Sequence, residues 1–246
     1  MSNATIDEPL VGIRLDQLST HVATLGNAER FFNRYGRAIH GYLNAILRDP
    51  TAAEEVLQEL LVALLRGGGA NRWPGRGRFR DYLKAAARNA AVTYLRKRGR
   101  QPAGADLDVH ADPRSSAEEA DRTLRSEWQR CVIDRANQKL ESCERLSPGN
   151  LCYTVLRIVT EYPDENSPKQ AAIASERARR TISAEAFRKQ VSRARRLMAE
   201  FILNEVARGL GEPTAVAVEE ELTELGLWGY VADYLPADWR SRFFGS

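Results

Sequence analysis

The stretch from Arg72 to Arg100, RWPGRGRFRDYLKAAARNAAVTYLRKRGR, decides how this chain is read. It carries ten basic residues (Arg72, Arg76, Arg78, Arg80, Lys84, Arg88, Arg96, Lys97, Arg98 and Arg100) against one acid, Asp81, in a protein whose net charge is only +3. Charge concentrated this strongly seeks phosphate. Phe79, Leu83, Ala86 or Ala87, Ala90 and Tyr94 recur at three- and four-residue steps, which predicts a helix with one buried stripe. Arg80, Lys84 and Arg88 form a second stripe, expected to face outward. The segment before it, 66–78, is rich in glycine and holds one large aromatic, Trp73. A basic loop with an aromatic leading into a basic helix suits single-stranded nucleic acid, because unpaired bases stack on aromatic faces while cations follow the backbone. Taken alone, the same pattern also fits Trp73 packed on a core and arginines solvated on a surface helix.

Working back toward the N-terminus, Pro50 follows Asp49 and precedes a run that buries Val56, Leu57, Leu60, Leu61 and Leu64. Asp49 can cap this helix with Pro50 at its first position, and Thr51 followed by Glu54 offers a competing capping box. The helix leaves Glu54, Glu55, Gln58 and Glu59 as a compact acidic face. Before it, Phe32, Tyr35, Ile39, Tyr42 or Leu43 and Ile46 predict a helix over 28–48, and Val11, Leu15, Leu18, Val22 and Leu25 predict a shorter one ahead of that.

Working forward, periodicity disappears in 101–117, QPAGADLDVHADPRSSA, which reads as a linker. It resumes with Leu124, Trp128, Cys131 or Val132, Ala136 and Leu140. A further helix through Leu151, Val155 and Tyr162 ends at Pro163. A short polar helix over 167–179 and a longer one capped by Ser183 follow, the latter with Ile182 and Phe187 at the spacing of a hydrophobic staple. The longer helix presents Glu185, Arg188, Lys189, Ser192 and Arg193 outward from its first turns. Such a pair has the shape of a helix-turn-helix, whose second helix lies in the major groove. The remaining 211–246 combines an acidic group, Glu219, Glu220, Glu221 and Glu224, with Trp228, Tyr230, Tyr234, Trp239, Phe243 and Phe244. This is too aromatic for a disordered end, and it is expected to dock on the chain or on a partner.

The expected fold is all-α, with two helical domains joined by a flexible linker: an N-terminal segment 1–27, a four-helix domain 28–100, the linker 101–117, a helix-turn-helix domain 118–210 and an extension 211–246. Cys131, Cys143 and Cys152 show no metal-ligand or redox spacing, and His21, His40 and His110 are scattered, so no metal, cofactor or disulfide framework is expected. Paired catalytic carboxylates, a Ser/His/Asp set and a phosphate-cradling glycine motif are not visible either, so no catalytic residue is assigned. No signal segment or membrane span is read, and a cytoplasmic location is expected.

The order DPTAAEEVLQELLVALLRG, GRFRDYLKAAARNAAVTYLRKR, a linker and a helix-turn-helix ending FRKQVSRARRLMAEFI resembles a bacterial sigma factor of the extracytoplasmic-function group over about 28–210. The trailing VEEELTEL is similar to the end of a subgroup with a C-terminal extension. The resemblance implies that 28–100 corresponds to sigma region 2 and 118–210 to sigma region 4. It implies that Glu54, Glu55, Gln58 and Glu59 bind core RNA polymerase. Trp73, Arg76, Arg78, Arg80, Lys84, Arg88 and Asn89 would hold the single-stranded −10 element, and Ser183, Glu185, Arg188, Lys189, Ser192 and Arg193 would read the duplex −35 element. Two departures stand out. Thr51-Ala52-Ala53 occupies what is commonly an Asp-rich helix start, where phosphorylation of Thr51 would restore negative charge. The turn from Glu176 to Thr181 is longer and more basic than usual. An anti-sigma factor and a Ser/Thr kinase are candidate further partners. The rival readings are a stand-alone helix-turn-helix regulator of duplex DNA and a helical adaptor that uses its aromatic tail.

Overall fold

The structure, a computed structural model, describes residues 32–66, 76–99, 113–147 and 149–245. The expected first helix, the Trp73 loop and most of the expected linker lie outside the described residues. Every regular element among the described residues is helical. A π-helical turn, Phe32–Gly36, leads into α1, Arg37–Leu47. Then come α2, Pro50–Arg66, and α3, Phe79–Arg98. The next is α4, Pro113–Leu146, which begins inside the segment expected to be a linker. Helices α5, Cys152–Glu161, α6, Ser167–Ala178, and α7, Ala184–Ala207, follow. In the extension are α8, Ala215–Glu224, α9, Trp228–Val231, a 3₁₀ turn, Ala232–Tyr234, and α10, Trp239–Phe244.

Local chemistry sets the boundaries. The Asp49 carboxylate accepts from the backbone N–H of Thr51 at 3.0 Å and of Ala52 at 3.1 Å. Asp49 is therefore the cap of α2 with Pro50 at the first position, while the rival partner Glu54 accepts instead from Gln58 Nε2 at 3.0 Å. Two of the donors orphaned at a helix start are thereby satisfied, which also holds the Asp49 carboxyl below its ordinary value. Asn166 caps α6 through the N–H of Lys169, and Ser183 caps α7 through that of Ala186 at 3.1 Å.

The buried side chains form two apolar cores, and α4 and α7 contribute to both. The first gathers Ile39 and Leu43 of α1, Val56 and Leu57 of α2, Leu83 and Ala87 of α3, the Leu124 to Ala136 stripe of α4 and Ile202 and Leu203 of α7. Leu222, Val231 and Trp239 of the extension complete it, so the aromatic tail docks on its own chain. The second gathers Leu140, α5, α6 and the first half of α7 around Phe187. Fully burying a Leu, Ile or Phe side chain contributes about 1.5–3 kcal/mol, which is why these stripes dictate the packing. An added Cβ at Gly41 would stand 3.2 Å from Thr123 Cγ2 and 3.4 Å from Glu127 Cγ. A glycine inside α1 costs helix stability, and here it permits the close approach of α4. At the same junction Tyr35 stacks on Trp128 with ring centroids 5.0 Å apart and meets Phe79 edge-on at 5.3 Å.

A polar cluster fastens the far end of α7. Glu205, 6% exposed, pairs with Arg34 before α1, with Lys139 of α4 at 3.0 Å and with Arg208 at 3.6 Å. One carboxylate shared among three cations cannot fully offset their burial, and burial together with Arg208, Arg34 and Arg135 brings Lys139 down to about 7. Between pH 7 and the ordinary value of 10.5 the unfolded chain therefore binds the proton that the folded chain has released, and stability from this group rises with pH. From pH 7 to pH 9 the wild-type Tm is expected to gain about 2–4 °C over that of a Lys139→Met variant. Parallel Tm profiles for the two proteins would contradict this.

Candidate nucleic-acid interface

Three polar faces emerge from this packing. On α2 the residues alternate in helical register, burying Ala52, Ala53, Val56, Leu57 and Leu60 and exposing Glu54, Glu55, Gln58 and Glu59. The last four thus share one solvent-facing strip. Its ion-pair partners are distant: His40 Nε2 stands 3.9 Å from Glu54 and Lys97 Nζ 3.9 Å from Glu59. Exposed pairs of that length contribute little, so the strip keeps its negative charge available for a partner.

The second face is the N-terminal part of α7. Ser183, Glu185, Arg188, Lys189, Ser192 and Arg193 are all exposed, while Phe187, Val191 and Ala194 point into the second core. Glu185 and Lys189 pair at 2.8 Å along the helix, and the Ser183 hydroxyl is engaged as the cap. Arg196, exposed one turn beyond Ser192, prolongs the cationic side and was not singled out from sequence. The long turn into α7 is held by Ser175, whose Oγ donates to Ala171 O at 2.7 Å and accepts from Ile182 N at 2.9 Å. Arg179 closes α6 at φ 50, a left-handed conformation that a non-glycine residue adopts at a cost.

The third face differs from expectation. Phe79, Leu83 and Ala87 are buried as the stripe requires, and Arg76, Arg88 and Asn89 are exposed. Of the outward stripe expected of Arg80, Lys84 and Arg88, only Arg88 is fully outside. Lys84 Nζ pairs with Asp121 of α4 at 2.6 Å. Arg80 is 5% exposed, and its Nη2 lies 2.6 Å from Glu224 Oε1 and 3.2 Å from Glu221 Oε2 of α8. Arg78 pairs with the same two carboxylates, its Nε standing 3.0 Å from Glu221 Oε2 and its Nη1 bonded to Glu224. The cause is long-range: the partners of Arg78 and Arg80 lie more than a hundred residues further along the chain, and that of Lys84 lies 37 residues on, where no local periodicity can register them.

Backbone bonds seat this contact. Phe79 N donates to Gly209 O at 2.9 Å and Gly211 N donates to Gly77 O at 3.0 Å, so that Arg78 and Leu210 form an isolated antiparallel bridge. Gly77 supplies the positive φ of 71 that the turn into this bridge demands. Electrostatics divides the two acids. Burial pushes the Glu221 carboxyl up despite both arginines, whereas for the more exposed Glu224 burial is outweighed by Arg80 and Arg78, which hold it down. For Arg78, too, burial acts against the charge, and the two carboxylates overcome it and raise its value.

Among the described residues no group of His, Cys, Asp or Glu is placed to hold a metal ion, and no helix is long and apolar enough to cross a membrane. Cys152 is buried, and burial pushes its thiol up to about 11, which leaves it inert at neutral pH. The molecule is an all-helical protein with an acidic helix face and separate cationic surfaces. Residues 31–101 match the family model of Sigma-70 region 2. The stretch 31–101 is thus similar to a Sigma-70 region 2 domain, which supports a sigma-factor role in RNA polymerase binding and promoter melting. No curated protein and no solved structure matches the chain.

Proposed function

We propose that the chain is a cytoplasmic sigma factor of the extracytoplasmic-function group with a C-terminal extension, and that it directs core RNA polymerase to promoters through −10 and −35 contacts. The observation that carries this reading is the region 2 match over 31–101, whose α2 presents Glu54, Glu55, Gln58 and Glu59 together on the surface. Those residues bind polymerase. In this reading 28–100 forms the region 2 domain and 118–210 a region 4 domain, with 211–246 as the extension. Trp73, Arg76, Arg88 and Asn89, together with Arg78, Arg80 and Lys84 once their carboxylate partners are displaced, hold the unpaired −10 strand by stacking and charge. Binding energy for a separated strand shifts the promoter from duplex to open form.

The test is direct. Purified full-length protein is mixed with core RNA polymerase, followed by gel filtration and by transcription of a pooled genomic library. Co-elution with discrete start sites is expected. If the protein ignores polymerase but binds duplex DNA tightly with a steep salt dependence, it is a stand-alone regulator instead.

In the same reading the face from Ser183 to Arg193 lies in the major groove of the −35 element. Arg188→Ala is expected to relax base preference at one −35 position by about 1–3 kcal/mol, the usual value of a good base contact. Its exposure predicts an unchanged Tm. Identical start-site selection by variant and wild type in the library assay would exclude the contact.

A further inference from the structure

Arg78 and Arg80 stand where a cationic surface for a nucleic-acid strand is expected, and both are occupied by carboxylates of the same chain. A carboxylate and a backbone phosphate compete for the same guanidinium donors in the same planar geometry. Both cannot occupy them at once. The seat of the competitor is built rather than incidental, because it combines the Arg78–Leu210 bridge, the Thr214 cap of α8 at 3.2 Å from Ala217 N and the burial of Leu222 in the first core. The acidic strip of α2 and the cationic face of α7 carry no such cover: each remains exposed in the same molecule.

We infer that α8 is an internal competitor for nucleic acid, which closes the Arg78–Arg80 site while leaving the α2 strip and the α7 face open to their partners. The assignment of those three partners rests on the sigma-factor reading above; the competition itself does not. Displacing α8 exchanges one set of anions for another around Arg80, so the arginine is never left buried and unpaired. Opening therefore keeps the charge on Arg80 compensated, and its cost is the uncovering of Val218 and Leu222, which α8 buries in the first core. The arrangement also orders events: polymerase can be engaged first, and the strand site becomes available when α8 is drawn away. A tether of only a few residues, 208–214, joins α7 to α8, so the released helix stays close and closes the site again when the strand leaves.

The experiment measures the full-length protein against a fluorescein-labelled single-stranded oligothymidylate by anisotropy at low salt, with core polymerase co-elution run on the same preparations. Glu224→Gln, on the more exposed of the two acids, is expected to tighten binding about tenfold relative to wild type and to leave co-elution unchanged. Thr214→Ala, which removes the α8 cap without touching either arginine, moves affinity in the same direction by a smaller factor. In an Arg78→Ala background the gain from Glu224→Gln is diminished, because only Arg80 remains to be freed. Equal affinities for wild type and both acid-side variants would overturn the inference, as would a gain that persists undiminished in the Arg78→Ala background. Absence of polymerase co-elution in every preparation would instead overturn the sigma-factor reading, and the oligonucleotide arm would still decide the competition.

Discussion

Glu205→Ala is expected to lower the free energy of unfolding by about 3–5 kcal/mol, the usual cost of removing one partner from a buried charge pair. Glu205 sits in the mainly apolar run FILNEVARGL, and its carboxylate is the shared anion for Arg34, Lys139 and Arg208. Without it the Arg34 and Arg208 guanidiniums and the Lys139 amine face one another with no anion among them. The elements they belong to, the turn before α1, α4 and the end of α7, are those that close the first core. Urea unfolding followed by far-UV circular dichroism gives the number. Glu219→Ala, which breaks the exposed pair with Arg240 at 2.6 Å, serves as the reference and is expected to cost less than about 1 kcal/mol. A Glu205→Ala cost no larger than that of the reference would show that the cluster does not hold the helices together.

The double replacement Glu55→Lys with Glu59→Lys is expected to abolish co-elution with core polymerase, an affinity loss of more than about 100-fold. The two changes add four units of positive charge to one strip of α2. Like charges set against a cationic partner face cost several kcal/mol, and each factor of ten in affinity is about 1.4 kcal/mol. Both residues are exposed, and the 3.9 Å approach of Lys97 to Glu59 is too long and too solvated to matter for folding, so the Tm should stay within about 2 °C of wild type. Loss of binding with retained fold identifies the strip as the polymerase contact. Undiminished co-elution would place that contact elsewhere.

What the chain discloses before folding is governed by distance along it. Ser183 caps α7 through a donor three residues away, so that boundary follows from local chemistry alone, whereas at α2 the sequence left Asp49 and Thr51 as rival caps and the bonds to Thr51 N and Ala52 N decide for Asp49. Phe79, Leu83 and Ala87 were legible for the same reason, since one helix turn fixes their common face. The direction of Arg80 was not legible. Periodicity places it outside, and it is buried because α8 brings Glu221 and Glu224 to it. The signal for that pairing existed only as two acids at three-residue spacing in the extension, with nothing to say which cations they meet. Lys84 follows the same rule through Asp121. Gly41 carried a signal that went unread, because a glycine in mid-helix marks a neighbour approaching closely, but names no neighbour. Trp73, central to the sequence argument, lies outside the described residues, and its role rests on the proposed function.

One consequence follows from α7 being a single unbroken helix of 24 residues. Its length is about 36 Å, and each residue advances its phase by about 100°. The exposed arginines near its beginning, proposed above to read DNA, and the Gly209–Leu210 segment that clasps Arg78 beyond its end are therefore geared to one shaft. Inserting a single residue at mid-helix would leave composition and charge intact, yet turn the reading face about a quarter revolution relative to the clasp. The axial phase of α7 is thus a quantity under constraint, independent of any side chain on it.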